Sequence, residues 1–171
     1  MVTFLYYCGL NHNNMSPFTE TEYLSWLEEL LKHGKTVQVP VSGMSMFPFL
    51  MKDDVIQVSP IEYGDLKPGQ ILIFNRESRW IAHRLIKSEN GFCYTRGDGN
   101  RKVDAAIPFR DVKGVLTGIS SSRWILAKYS YGRIGKVLIR TGMVSGPIFW
   151  FLGMISYEIL CWCRRVFKVG G

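Results

Sequence analysis

A chain of 171 residues with 47% apolar composition can build one domain with a real core and is too short for two comfortable ones. Its formal charge of +7 is unevenly placed: residues 123–168 hold eight Lys and Arg against the single acid Glu158, with Trp, Phe, Leu and Ile interleaved. That company excludes an ordinary nucleic-acid patch and points to an anionic membrane surface.

Residues 1–18 read as a tail of uncertain start. The apolar stretch 1–10 has no basic flank and runs at once into Asn11-His12-Asn13-Asn14, so no secretory leader is expected there, and residues 1–14 carry no functional weight. Thr19 with Glu22 forms a capping-box pattern, after which Tyr23, Leu24, Leu27, Leu30 and Leu31 recur at helical spacing until Gly34. One amphipathic helix is predicted. Short β-type runs follow at 36–41, 55–58, 70–75, 80–87, 92–96 and 112–119, and Asn90-Gly91 between two of them is a hairpin signal. The expectation is a mainly β fold, a coiled and largely antiparallel domain over residues 19–122 with a leading helix.

The composition shifts again in residues 123–171. Ile134, Val137 and Leu138 make one stripe and Arg133, Lys136 and Arg140 another, which describes a basic amphipathic helix suited to anionic lipid. Residues 143–163 carry one charge, Glu158, in 21 positions, long enough to cross a bilayer. A helical, apolar, membrane-associated tail is therefore expected. Basic residues on both of its flanks leave the side of the membrane open.

The four cysteines, Cys8, Cys93, Cys161 and Cys163, lack the spacing of a zinc site and the density of a disulfide scaffold, so they read as free thiols. Neither metal nor cofactor is expected. Cys93 sits in an alternating strand-like run without a nearby His and reads as a small buried hydrophobe.

Three segments carry candidate chemistry. Ser42-Gly43-Met44-Ser45-Met46-Phe47-Pro48 follows a predicted strand and ends in an apolar turn, where a serine can be held clear of regular structure. A serine nucleophile needs a base within hydrogen-bond reach and donors for an oxyanion. His83, in an alternating run, shares a strand face with Ile81 and Leu85 while Arg84 points the other way. An imidazole suits a base at neutral pH, whereas a lysine would first need strong desolvation. His12 and His33 have no obvious partner. The loop 95–104 adds two carboxylates, Asp98 and Asp104, either of which could orient His83.

Together and in this order the segments resemble the signal peptidase I superfamily. Its Gly-x-Ser-Met-x-Pro box matches Gly43-Met44-Ser45-Met46-Phe47-Pro48, and its following Gly-Asp element is degraded to Asp53-Asp54-Val55-Ile56. Its strand led by Gly-Asp matches Gly69-Gln70-Ile71-Leu72-Ile73-Phe74. The His-Arg-Val element matches His83-Arg84-Leu85, and the Gly-Asp loop matches Gly97-Asp98-Gly99-Asn100 ending at Asp104. The resemblance covers residues 39–119.

It implies a Ser-His branch with Ser45 as nucleophile, His83 as base, Asp104 as the acid and Asp98 as a loop-structuring residue. Gly43, Met44, Met46 and Pro48 are expected to meet the substrate. No hydroxyl stands two residues before Ser45, where Gly43 lies, and Ser42 is the candidate to stand in for it. The implied activity is that of a serine endopeptidase removing leader or signal peptides, bound extended beside the strand leading into Ser45. The implied partners are a precursor peptide, membrane lipid and an exporter or other membrane protein, not nucleic acid. Two other readings remain: a self-cleaving, repressor-type serine protease of the same superfamily, which would use a lysine base, and a non-catalytic membrane-associated binding module.

Overall fold

The computed structural model describes residues 19–121. The tail, the basic stripe at 133–140, the apolar run 143–163 and Cys8, Cys161 and Cys163 lie outside them.

Helix α1, Glu20–Lys32, begins at the expected capping box, with the Glu22 amide donating to Thr19 Oγ1 at 3.3 Å and the Thr19 amide to Glu22 Oε2 at 2.7 Å. It ends in a Schellman closure at Gly34, whose φ of 74° suits glycine: the Gly34 amide donates to the Leu31 carbonyl and that of Lys35 to Leu30. Leu24, Leu27 and Leu31 are buried, each contributing about 1.5–3 kcal/mol relative to exposure.

Seven strands follow, β1 Val37–Pro40, β2 Val55–Ser59, β3 Ile71–Arg76, β4 Arg79–Glu89, β5 Phe92–Arg96, β6 Ile107–Pro108 and β7 Val112–Ser121. They form one antiparallel sheet in the order β1-β2-β7-β3-β4-β5-β6. The fold is thus mainly antiparallel β with one N-terminal helix. Two 3-10 turns, Tyr63–Asp65 and Phe109–Asp111, and the two-residue strand β6 add to the elements expected from sequence. β6 contains a proline and is too short for periodicity to reveal.

Alternation along β3 and β4 explains the two cores. Ile71, Ile73, Trp80 and Ala82 join the helix leucines in one cluster, while Leu72, Phe74, Ile81 and Leu85 join Cys93, Ile107 and Val115 in another. Both faces of the central strands are therefore covered, and those strands read as near-continuous apolar runs. Register shifts in the β2–β7, β3–β7 and β4–β5 ladders mark bulges, which bend and coil such a sheet. Asn90-Gly91 makes the expected hairpin turn with both φ positive; Glu77-Ser78 takes the same left-handed conformation between β3 and β4 without a glycine.

Candidate active site

Ser45 lies just beyond β1 in the turn 44–50, whose side chains Met46, Phe47, Phe49 and Leu50 are buried. Burial of this apolar turn fixes the serine between strands. Of the four residues expected to meet the substrate, Gly43 and Met44 keep accessible surface. Met46 and Pro48 are buried, Met46 within the first core cluster.

β4 delivers His83 opposite Leu72 of β3, with Phe74 edge-on to the imidazole at 6.0 Å between ring centres. Ser45 Oγ stands 2.9 Å from His83 Nε2, and His83 Nδ1 stands 2.7 Å from Asp104 Oδ2. One tautomer satisfies both bonds, with Nδ1–H donating to the carboxylate and Nε2 accepting from the serine hydroxyl. Ser45 and His83 are buried, and Asp104 is half-buried.

Asp104 comes from an irregular segment between β5 and β6. It is held by its own amide, which donates to the Thr95 carbonyl at 2.8 Å, and by the Thr95 hydroxyl, which donates to Oδ2 at 2.6 Å. Arg76 Nη1 lies 3.7 Å from Oδ1. Burial, the largest single influence, works against the charged carboxylate. The His83 hydrogen bond and charge, the Thr95 hydroxyl and the Arg76 guanidinium together outweigh it and hold the Asp104 pKa below its ordinary value.

The other aspartate goes elsewhere. Asp98 accepts from Arg84 through both oxygens, Nε at 2.8 Å and Nη2 at 2.6 Å, and Arg84 Nη1 also donates to the Gly69 carbonyl at 2.7 Å. Arg84 does point away from His83, yet not into solvent: both ends of this pair are buried. It ties the loop to β4 and to the turn before β3.

That loop braces Ser45. The Gly99 amide donates to the Ser45 carbonyl at 2.8 Å, and a Cβ at Gly97 would lie 2.7 Å from that carbonyl oxygen and 3.0 Å from His83 Nε2. Glycine is thus required by close approach to the relay itself. Gly97→Ala should lower any turnover that depends on Ser45 on the order of 10²-fold, since a displacement near 1 Å in such a site costs about that much. Gly64→Ala, where a Cβ meets nothing within 4 Å, should leave it unchanged. Equal rates in the two variants would contradict this placement.

Among the described residues, the Ser45 amide donates to no protein acceptor, and the hydroxyl of Ser42 is buried without a partner. No group of His, Cys, Asp and Glu suited to hold a metal occurs among them. Cys93 is fully buried in the second core cluster, and burial pushes its thiol pKa up. Chemically, a hydroxyl bonded to a carboxylate-oriented imidazole can lose its proton as it attacks a carbonyl.

Comparison of the chain with protein-family models, curated proteins and solved structures found no match. Thr95 and Arg76 are the site residues that the sequence does not single out, and neither carries a visible signal there; Gly97 is legible only as the first glycine of the Gly-Asp loop.

Proposed function

We propose that this protein is a serine endopeptidase of the signal peptidase I type that removes leader or signal peptides from precursors. The observation that carries this reading is the continuous relay from Ser45 through His83 to Asp104, at 2.9 and 2.7 Å, assembled from three segments far apart in sequence. In the proposed reaction Ser45 Oγ attacks the scissile carbonyl while His83 Nε2 takes its proton. The imidazolium is held by Asp104 and then protonates the leaving amine. Water, deprotonated by the same imidazole, releases the acyl group from Ser45 and restores the serine. The Ser45 amide, which donates to no acceptor among the described residues, is the natural donor to the oxyanion, with the Ser42 hydroxyl as a second.

Two further features support the family reading. Asp53 stands where the family pattern has glycine and has φ 75°, a conformation glycine favours and aspartate tolerates better than most. Gln70 stands where the pattern has aspartate, and its Oε1 accepts from the Lys67 amide at 2.7 Å, the kind of turn bond a carboxylate could also make. β1, which leads to Ser45, is an edge strand of the sheet and can add an extended peptide as a further strand. A histidine rather than a lysine facing Ser45 disfavours the repressor-type alternative, and an intact relay disfavours a binding module with relic residues.

The test is incubation of the full chain, and of its Ser45→Ala variant, with precursor peptides bearing small residues before the cleavage site, followed by sequencing of the products. A single cut after a small residue by the wild type alone supports the reading, and no cut in any precursor refutes it. Membrane association is proposed from the apolar run 143–163, outside the described residues; among those described, no helix is long and apolar enough to cross a membrane. The full-length protein should sediment with membranes, and deletion of residues 143–171 should release it. Recovery of the intact chain in a detergent-free soluble fraction would refute this part.

A further inference from the structure

Asp104 sits on a segment with no ladder to hold it, yet His83 requires one of its oxygens in a fixed direction. A carboxylate hinged on two side-chain torsions does not keep that direction unaided. The surroundings supply the constraint. Thr95, fully buried on β5, meets Asp104 twice: its carbonyl receives the Asp104 amide and its hydroxyl donates to Oδ2, the same oxygen that accepts from His83. Arg76, at the end of β3, approaches the opposite oxygen, Oδ1. Its Nη2 donates to the Ala105 carbonyl at 3.4 Å, and its guanidinium lies 5.4 Å from the centre of the Phe74 ring, the ring packed edge-on to His83.

We propose that Thr95 and Arg76 are positioning residues that clamp Asp104 from its two oxygens and so set the orientation of His83 toward Ser45. This rests on the peptidase reading only for its kinetic test. Neither residue touches a substrate in this arrangement. Thr95 acts through the oxygen it shares with His83, and Arg76 through the other oxygen and the carbonyl that follows. The roles are unequal: the Thr95 bond is short and its donor residue fully buried, whereas the Arg76 contact is long and its side chain is about one-third exposed. Lysine would not replace Arg76, because one ammonium lacks the planar fork that reaches both Asp104 and Ala105.

The experiment compares wild type, Thr95→Val, Thr95→Ser and Arg76→Gln. Valine keeps the shape of threonine without its hydroxyl, and serine keeps the hydroxyl. With a cleaved precursor peptide, Thr95→Val should lower kcat about 10–100-fold with KM within about twofold, because orientation of the base is lost while peptide binding is not. Thr95→Ser should recover most of that loss, and Arg76→Gln should lower kcat by roughly five- to tenfold.

In parallel, nitrogen-15 NMR of the imidazole reads the resting protein without substrate. Wild type should hold its proton on His83 Nδ1 with slow exchange, and Thr95→Val should lose that slow exchange or mix tautomers while its amide spectrum stays folded. Wild-type kcat together with an unchanged His83 proton in Thr95→Val would overturn the clamp, as would a Thr95→Ser variant no better than valine. If Thr95→Val does not fold, an unchanged kcat and His83 signal in Arg76→Gln, together with a Thr95→Ser variant that loses the slow exchange, would overturn it. If wild type cuts nothing, the peptidase reading fails alone, and the imidazole signals still decide on the clamp.

Discussion

Ser45→Ala and His83→Ala should each lower peptide cleavage by on the order of 10³–10⁶-fold, and the double variant should be no slower than either single one, because members of such a relay act as a unit. The fold should survive both changes. Removing the Ser45 hydroxyl leaves His83 Nε2, buried between β3 and the turn 44–50, without its partner, a cost of about 1–3 kcal/mol. Removing the imidazole leaves Asp104 with Thr95 and Arg76 still beside it, so no carboxylate is stranded. Either loss is smaller than the roughly 5–15 kcal/mol that holds a domain together. The measurement is turnover of one precursor peptide beside thermal unfolding of each variant. Near-normal turnover in a folded Ser45→Ala or His83→Ala protein would remove the proposed mechanism, whatever the peptide.

The ease with which strands were read and partners were not has a common physical cause. Periodicity is a local property: the capping box, the helix leucines and the alternating runs each sit within a dozen residues, and all have counterparts in α1, β1 to β5 and β7. The Glu77-Ser78 turn escaped because its left-handed conformation is imposed by the pairing of Arg76 with Arg79, not advertised by glycine or asparagine. Side-chain partners depend on register, which only the assembled sheet defines. Arg84 faces Arg96 across β4 and β5, and this pairing, with the loop that follows, brings Asp98 to Arg84 and leaves Asp104 for His83. The residues alone left the two aspartates open, and the resemblance assigned them. Thr95 and Arg76 are ordinary strand residues until Asp104 arrives between them.

That division between the aspartates gives the second large effect. Asp104→Asn should lower turnover on the order of 10³–10⁴-fold, because an amide can donate to Nδ1 and so favours the tautomer whose Nε2–H can no longer accept the serine proton. Asp98→Asn should instead cost stability, about 3–5 kcal/mol, because the buried Arg84 loses the charge that its guanidinium meets through both oxygens. Its turnover per folded molecule should fall far less than that of Asp104→Asn. Acid separates the variants further. The folded pKa of Asp104 lies below its unfolded value, so its ionisation stabilises the fold fully above about pH 4–5 and this contribution fades as pH falls through the folded value. The stability gap between wild type and Asp104→Asn should therefore narrow as pH falls below about 4. Urea unfolding across that range, with peptide turnover at pH 7, measures both effects. An active Asp104→Asn protein beside a folded but inactive Asp98→Asn protein would reverse the two roles.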